Sequence, residues 1–513
     1  MCFLSVHAAP TVLAQVAVDW QRCYGGSERD MARSVRQTYD GGYIAVGTTE
    51  SMDGDVVGFH GEVDIWVLRL DPYGEMIWQR CLGGTGTEGA NDVIQTSDGG
   101  FVIAGSTSST DGDVTGLHGS IGDAWLIKLD GDGSIIWQRC YGGTGLEIAN
   151  QVKELAGGGY VFVGEEASTD GDVSGDQGGV DCWLVHVDAY GEPLFSASLG
   201  GTGVDKAYTI DLCSDGGFII GGTTWSDDGQ VTGYHGQMDM WLMRVSSAGD
   251  LLWQRCLGGT SQDWLQSVRQ RETGDFILAG YTYSDDGDIS GNHGDWDFWV
   301  SVVNEVGEMT WQRCLGGSDR EWAHSVELAD DGGAVITGFT RSNDGQVSGN
   351  HGSDDAWVVK LGSGGDFVWQ KCFGGGSDEW PRCISAAGPG SYILAAHTLS
   401  GTSGDVLCGS GLSERDFWLA RITPSDVMIP DNRLEPLGIY PQPASDIVVL
   451  QLPNRPFTDE DHILLIDAQG RICQRLRVSG PILSISLHGL SAGPYTIQLR
   501  GTEVIACVPL LVQ

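Results

Sequence analysis

A repeat of 58 residues limits the fold of this chain more than any other feature of its sequence. The string W-Q-R-C, or W-Q-K-C in one copy, recurs at intervals of 58 or 59 residues and each time runs into a Gly-Gly pair. A degenerate copy around Phe195 fills the one double interval. The six intact copies begin at Trp20, Trp78, Trp137, Trp253, Trp311 and Trp369. Self-similarity at such a period is typical of solenoids and propellers.

Within each unit, four stretches rich in β-branched and aromatic residues alternate with turns, which is typical of antiparallel strands. The chain begins with a fourth-strand string, residues 18–23, and the seventh unit ends after a third strand, residues 416–423. The N-terminal strand can therefore complete the last blade and remove two exposed sheet edges. The sequence predicts an all-β chain with a seven-bladed β-propeller closed in this way. In the fifth unit the expected strands are residues 266–270, 275–282, 298–304 and 308–314.

The repeat also marks the domain organisation. We assign residues 16–424 to the propeller, and interpret residues 1–15, which are apolar with small residues near Ala14, as the remnant of a signal peptide. The Pro-containing residues 425–436 are predicted to be a linker. Residues 437–513 lack the repeat and are predicted to form a small β-sandwich. Its expected strands are residues 447–452, 462–467, 482–487 and 495–499.

The net charge of the chain, its lack of long apolar segments and its lack of catalytic motifs limit the kinds of function that we expect. The formal net charge is −41, and such a field repels nucleic acid and anionic lipid, so we expect no DNA or RNA ligand. No segment has 18 or more consecutive apolar residues, so we expect no transmembrane span. G-x-S-x-G, H-E-x-x-H, P-loop and dinucleotide-binding motifs are absent from the sequence. We therefore predict that the protein is not an enzyme.

The repeat accounts for most cysteines and tryptophans. The cysteine of each W-Q-R-C string lies at an equivalent outer position of successive blades, too far apart for a disulfide bond, and is interpreted as a small buried residue. The total of 13 cysteines is odd and there is no C-x-x-C pair, which supports neither a zinc site nor a redox motif. Six tryptophans begin the strings, and we expect them to pack between blades with seven more that follow an Asp by two residues. These seven are Trp66, Trp125, Trp183, Trp241, Trp299, Trp357 and Trp418.

Five tryptophans lie outside the repeat, all in the second half of the ring: Trp225, Trp264, Trp296, Trp322 and Trp380. Three of them directly follow an acid that recurs four residues after each Gly-Gly pair. From the first unit to the seventh, this acid is Asp30, Glu88, Glu147, Asp205, Asp263, Glu321 and Glu379. Because indoles stack on sugar rings and carboxylates accept hydroxyl hydrogen bonds, we predict a carbohydrate-binding crescent on the top face. Its candidate residues are the five tryptophans with Asp263, Glu321 and Glu379. In the alternative, the rings pack against neighbouring loops and the acids cap backbone N–H groups in their turns.

The long loop between the second and third strands offers a candidate metal site. In the fifth unit, oxygen-bearing residues at positions 1, 3, 5 and 12 with glycine at position 6 resemble the calcium loop of an EF-hand, and the first and third units are similar. In the alternative, the Asp turns satisfy their own backbone, and the loop histidines hydrogen-bond the following Asp, as in WD-repeat propellers. The candidate calcium ligands are Asp286, Asp288, Ser290, Asp297, Asp53, Asp55, Asp64, Asp170, Asp172 and Asp181.

Two parts of the chain resemble known bacterial sequences. Units such as DGGFVIAGSTSSTDGDVTGLHGSIGDAWLIKLDGDGSIIWQRCYGG resemble the β-propeller repeat proteins of bacterial cell surfaces, especially those of Bacteroidetes. Tyr440-Pro441-Gln442-Pro443, LLIDAQGRI and LHGLSAGPYTIQL resemble the C-terminal sorting domain of type IX secretion. The second resemblance implies a tail that addresses the protein to the type IX machinery and is often removed during export.

Together these features favour a secreted or cell-surface propeller that binds or adheres, with a polysaccharide or a surface protein as partner. One alternative is a glycan-cleaving enzyme that uses carboxylates of the top face. Another is a purely structural surface scaffold.

Overall fold

In the computed structural model, the described part of the chain divides into two compact units, Met1–Asp426 and Val427–Gln513. The structure describes residues 15–175, 177–408, 414–425, 438–440, 447–451, 462–467, 472–478, 482–500 and 504–512. The predicted signal-peptide remnant and linker therefore lie almost entirely outside the described residues. No described segment forms a helix long and apolar enough to cross a membrane.

The first unit consists of seven four-stranded antiparallel sheets, which confirms the predicted seven-bladed β-propeller. Blade 1 contains β2 (Asp30–Gln37), β3 (Tyr43–Thr49), β4 (Asp64–Leu70) and β5 (Met76–Leu82). Blade 2 contains β6 (Glu88–Gln95), β7 (Phe101–Thr107), β8 (Asp123–Leu129) and β9 (Ile135–Tyr141). Blade 3 contains β10 (Ile148–Glu154), β11 (Tyr160–Glu166), β12 (Asp181–Val187) and β13 (Pro193–Leu199). Blade 4 contains β14 (Asp205–Leu212), β15 (Phe218–Thr224), β16 (Asp239–Val245) and β17 (Leu251–Leu257). Blade 5 contains β18 (Asp263–Gln270), β19 (Phe276–Thr282), β20 (Asp297–Val303) and β21 (Met309–Leu315). Blade 6 contains β22 (Glu321–Leu328), β23 (Ala334–Thr340), β24 (Asp355–Leu361) and β25 (Phe367–Phe373).

The seventh blade joins the two ends of the propeller. The first strand of the chain, β1 (Gln15–Tyr24), pairs with β30 (Asp416–Ser425) and so supplies the fourth strand of the sheet that begins with β26 (Glu379–Ala386) and β27 (Tyr392–Thr398). This is the closure predicted from the sequence, and it removes two open sheet edges. A two-stranded hairpin lies in the loop of this blade and consists of β28 (Thr402–Ser403) and β29 (Val406–Leu407).

A disulfide bond adds to this closure. Cys23 of β1 is joined to Cys408, whose Cα lies 5.5 Å away in the loop after β29. The interpretation of Cys23 as a free buried residue is therefore wrong. The remaining cysteines of the W-Q-R/K-C strings are free and buried, as predicted: Cys81, Cys140, Cys256, Cys314 and Cys372.

Tryptophan packing fills the space between blades. The seven tryptophans that follow an Asp by two residues are all fully buried, as predicted. Trp66, for example, packs edge-on against Phe417 of the neighbouring blade, with ring centroids 4.8 Å apart. The tryptophans of the W-Q-R-C strings lie on outer strands and also pack on the next blade, as predicted; Trp78, for example, contacts Phe101 with ring centroids 6.2 Å apart. Trp20 is half-buried and its indole N–H donates to the Pro72 carbonyl in a turn of the next blade at 3.1 Å.

The described strands of the second unit form two antiparallel sheets. One contains β31 (Gly438–Tyr440), β32 (Ile447–Gln451) and β35 (Ile482–Ser486), and the other contains β33 (His462–Asp467), β34 (Ile472–Arg477), β36 (Gly493–Arg500) and β37 (Val504–Val512). Val448 and Ile485 of the first sheet share a buried apolar cluster with Ile463 and Ile497 of the second. Two sheets with a shared core are what a small sandwich requires.

Candidate functional site

The innermost strand of every blade carries a β-bulge at the same position. In β18 the register shifts between Leu265 and Ser267, so that Gln266 at the fourth position of the strand is unpaired. A bulge re-aims the side chains next to it. The seven fourth-position side chains line one cavity of about 380 Å³ at the centre of the ring. They are Arg33, Asn91, Asn150, Tyr208, Gln266, His324 and Arg382.

Fifth-position side chains tie successive inner strands together at the same level. The hydroxyl of Thr209 accepts a hydrogen bond from the Val268 N–H at 3.2 Å, and Ser267 accepts one from the Val326 N–H at 3.2 Å. These bonds hold the wall of the cavity in place, so that the fourth-position groups project from a rigid ring.

Six aromatic rings form a continuous series of ring contacts along one side of this wall, three of which are stacked, one tilted and one edge-on. Trp264 of blade 5 stacks on Tyr281 at 5.3 Å, and Tyr281 stacks on Trp322 of blade 6 at 5.1 Å, with an interplanar angle of 9°. The order continues through Phe339 at 5.1 Å, Trp380 at 5.7 Å and His397 at 5.5 Å. We call these six residues the aromatic arc. In each of blades 5–7 it combines the second residue of the inner strand with its cross-strand partner on the next strand.

In the aromatic arc the tryptophans of the predicted carbohydrate-binding crescent lie close together, but less of their surface is exposed than the prediction assumed. Trp264, Trp322 and Trp380 are each only partly buried, but neighbouring rings of the arc cover their faces. The alternative that these rings pack against neighbours therefore accounts for much of their surface. What Trp264 and Trp322 present to the cavity is the remaining exposed part of the indole.

Two further predicted tryptophans lie beside the arc. Trp296, in the loop before β20, has its ring centroid 5.4 Å from that of Trp264 and 5.1 Å from that of Tyr283, whose side chain is 48% exposed. Trp225 lies at 6.3 Å from Trp264, edge-on. The structure thus brings all five predicted tryptophans into one set of contacts that spans blades 4–7.

The three acids assigned to the same site are not available to a ligand. Asp263, Glu321 and Glu379 are completely buried, and each accepts a hydrogen bond from the backbone N–H of the second Gly in the preceding Gly-Gly pair, at 2.8, 2.8 and 2.7 Å. Glu321 also accepts from the Thr340 hydroxyl at 2.7 Å. Their prediction as ligand-binding residues is therefore wrong, because each is the first residue of an inner strand and its carboxylate caps the Gly-Gly turn. In the fifth unit this strand, β18, begins three residues earlier than expected. The same Gly N–H bond is made by Asp30, Glu88, Glu147 and Asp205.

Three of the four candidate calcium ligands of the fifth blade accept hydrogen bonds from protein donors, and the fourth, Asp288, lies near a histidine ring. Asp286 accepts from the Thr260 N–H at 2.8 Å, Ser290 accepts from the Gln312 side chain at 2.6 Å, and Asp288 lies 3.9 Å from the His235 ring. Asp297 accepts from the backbone N–H of His293 and also pairs with its ring. The loop histidines thus bond the following Asp, as the structural alternative expected.

The other two loops repeat these contacts. The acceptor and donor pairs are Asp53 with the Ser27 N–H, Asp55 with the Gly25 N–H, Asp64 with His60, Asp170 with the Thr144 N–H, Asp172 with the Gly142 N–H and Asp181 with the Gln177 N–H. Where Gln230 and Gln346 replace the Asp at position 3, the amide oxygen accepts the equivalent Gly N–H bond. Within the described ranges, no three acidic, His or Cys side chains form a group that could hold a metal ion. Calcium binding by these loops stays a prediction.

Sequence reasoning missed the arginines of the cavity. Arg33 and Arg382 have equivalent positions on the inner strands of blades 1 and 7, which ring closure makes neighbours. The sequence signal was available, because only these two units have an arginine at the fourth position of the inner strand. Burial, together with the Arg33 charge, lowers the pKa of Arg382 to about 9, and burial also lowers the pKa of Arg33.

Fold and cavity together define a seven-bladed β-propeller with an aromatic and basic central site. No protein-family profile and no curated protein matches the chain. Among solved structures, a protein of unknown function from Dyadobacter fermentans is 11% identical, with 80% of this chain and 99% of that chain covered and a TM-score of 0.39. PorZ of Porphyromonas gingivalis, described as a surface component of the type IX secretion system, is 10% identical, with 96% and 60% covered and a TM-score of 0.38. The WD40 domain of Neurospora crassa Pan2 is 8% identical, with 81% and 97% covered and a TM-score of 0.43.

Proposed function

We propose that this protein is a secreted or cell-surface binding propeller, without catalytic activity, that holds a glycan at the aromatic side of its central cavity. The observation that carries the proposal is the clustering of all five non-repeat tryptophans with Tyr281, Tyr283 and Phe339 on one side of the ring. Partly exposed aromatic groups in a soluble domain are typical of binding sites. Glycans are favoured because the lining of the cavity combines indole rings with amide and hydroxyl groups such as those of Gln266 and Tyr208.

The rings best placed to contact a sugar are those at the outer side of the arc. Tyr283 is about half exposed, and Trp296 belongs to a loop rather than to a strand. Trp322, in contrast, lies between Tyr281 and Phe339, so its removal would disturb the arc itself. Trp296 also contacts four rings, whereas the one ring contact found for Tyr283 among the described residues is with Trp296. Tyr283 is therefore the sharper test position, and Trp296 is the second.

A panel of immobilised polysaccharides tests the proposal. We expect the full-length protein to be retained on at least one of them. Retention should be reduced in Tyr283→Ala without a change in melting temperature, and lost in Trp296→Ala. Tyr190→Ala is the matched control, because Tyr190 is 77% exposed and lies in a turn of blade 3 outside this cluster. Equal retention of all variants, or none of the wild type on any polysaccharide, would contradict the proposal.

A glycan-cleaving enzyme is the second candidate, and the same experiment separates it. The recurring acids are buried and hydrogen-bonded, which argues against their use as an acid and base pair. We therefore expect no new reducing ends during prolonged incubation with any polysaccharide that is bound.

Export is the second part of the proposal. The Cys23–Cys408 disulfide supports an oxidising compartment, since such bonds are rare in reducing cytosol. The resemblance of the tail to type IX sorting domains supports secretion by that route. We expect surface-located protein to end near Pro430, with the part after about Leu437 removed. Mass spectrometry that finds Gln513 on the exported protein would contradict removal of the tail.

A further inference from the structure

The charges that line the central cavity are not all balanced. On the far side of the fourth-position layer, Arg36 pairs with Asp92 at 2.9 Å and Lys153 pairs with Asp211 at 3.1 Å. These ion pairs satisfy the requirement that buried charges be compensated.

Arg33 and Arg382 lack such compensation. Among the described residues, no carboxylate pairs with either, and no hydrogen bond of Arg33 is found. The one polar contact of Arg382 is a distance of 3.5 Å from its Nη1 to the His324 Nε2, and its Nε is buried without an acceptor. His324 cannot serve as a counter-ion, because an imidazole is either neutral or cationic. Burial and the Arg382 charge hold the pKa of His324 well below its usual range, which keeps the ring neutral.

The surroundings add donors but no negative charge. His397, at the end of the aromatic arc, is 2% exposed, and neither of its ring nitrogens has a partner within the described ranges. Arg415 lies over the ring of Trp380 at 4.3 Å from its centroid. Two like charges without an acceptor are costly in a partly buried site, and this cost is offset when an anion binds between them. The arrangement is the more unusual in a chain with a formal net charge of −41.

We propose that Arg33 and Arg382 bind the anionic group of an acidic glycan, so that the ligand of this propeller carries a carboxylate or a sulfate ester. Guanidinium groups match both oxyanions through paired N–H donors. The proposal rests on the proposed function for its sugar part, because Trp264, Trp322 and Gln266 line the same cavity as the two arginines. A cavity of about 380 Å³ lies within the usual range of small-molecule sites. The distant surface carboxylates, which would repel an anion, are screened by salt over about 8 Å, whereas the buried arginines are not.

Titration calorimetry of the full-length protein with four probes tests the anion site. The probes are galacturonic acid, its uncharged methyl ester, galactose 6-sulfate and inorganic sulfate. We expect one of the two charged sugars to bind roughly tenfold or more tightly than the methyl ester, as befits a charge-assisted hydrogen bond. The charged sugar that binds more tightly shows whether the anionic group of the ligand is a carboxylate or a sulfate ester.

Two variants assign the effect to residues. Arg382→Gln and Arg33→Gln should each abolish the preference for the charged sugar, so that the acid and its methyl ester bind with similar affinity. Without ligand, neither variant should melt at a lower temperature, because each removes an uncompensated charge. Arg80→Gln is the matched control, since Arg80 lies on the outer strand β5 and bonds only carbonyl groups.

The outcomes separate this proposal from the proposed function. If the methyl ester binds as tightly as the acids, or if both arginine variants keep the preference, the anion site is wrong while glycan binding stands. If sulfate binds through the two arginines but no sugar binds, the anion site stands and glycan binding is wrong. If no probe binds, both are wrong.

Discussion

The side-chain oxygen of Gln21 accepts a hydrogen bond of 2.9 Å from the indole N–H of Trp418, across 397 residues of sequence. Within blade 1 the same bond joins Trp66 to Gln79 at 2.9 Å. The first strand of the chain thus supplies to the last blade the contact that the W-Q-R/K-C strings of blades 1, 2, 4 and 6 supply within their own blades. In blade 3, where Ser196 replaces the Gln, the Trp183 N–H has no partner in the described structure.

Removal of this contact should weaken the closed ring. We expect Gln21→Ala to lower the free energy of unfolding by about 1–3 kcal/mol, because it leaves the buried Trp418 N–H without an acceptor. Gln79→Ala is the matched control within one blade and should show a similar loss. Urea unfolding that finds a loss for Gln79→Ala but none for Gln21→Ala would contradict closure by this strand.

Deletion of the whole closing strand should have a larger effect. Without residues 1–24, β30 and the outer face of β25 are left open, and we expect aggregation and the loss of cooperative melting. Deletion of residues 1–14 alone, which leaves β1 intact, is the control. A protein without residues 1–24 that melts like the wild type would show that the ring closes in another way.

The disulfide predicts a redox-dependent stability. Cys408→Ser should lower the free energy of unfolding by about 2–4 kcal/mol, since the bond restricts the unfolded chain across 385 residues. Addition of dithiothreitol should lower the melting temperature of the wild type to that of the variant and leave the variant unchanged. Equal effects of the reductant on both proteins would point to a different bond.

Asp416 predicts a pH dependence that is localised to the closing blade. Burial, followed by the charges of Asp30 and Asp55, raises the pKa of Asp416 to about 7 from its ordinary value of 3.8. Five other blades have a loop histidine that bonds the equivalent Asp, whereas residues 409–415 contain none.

The direction in which stability changes with pH follows from the raised pKa of Asp416. The folded protein holds this proton more tightly than the unfolded chain, so the contribution to stability is complete below about pH 4 and is lost as the pH rises through 7. Asp416→Asn mimics the protonated form and should raise the melting temperature more at pH 8 than at pH 5. Asp132→Asn, in an exposed turn, should change neither. A variant that gains as much at pH 5 as at pH 8 would contradict the assignment.

Calcium binding by the long loops is open to a direct titration. The ion would have to draw Asp286 and Asp297 away from Thr260 and His293, so we expect weak binding, with a rise in melting temperature only as calcium approaches about 1 mM. Asp286→Asn should reduce the rise, and magnesium should not reproduce it. A constant melting temperature up to about 10 mM would leave these carboxylates as backbone caps only.

The repeat by itself determined the blade count, the strand order and the closure of the ring. It could do so because a blade is built from local hairpins whose alternating residues and turns are written within 58 consecutive positions. The seven buried tryptophans were predictable for the same reason, since each has the same place in every blade. The start of each inner strand was not predictable from the sequence, because the sequence does not distinguish a buried acid that caps the Gly-Gly turn from an exposed acid.

Tertiary structure decided what lies in the cavity and what joins the ends. Cys23 meets Cys408, and Arg33 meets Arg382, only because the last blade returns to the first. The inner-strand bulge selects which side chain of each strand faces the centre, and one residue of register reverses that choice. The same holds for the aromatic arc, where each indole shares its faces with rings from the neighbouring strand and blade. Such contacts depend on side-chain direction across separate sheets, a quantity that no repeat in a linear sequence specifies.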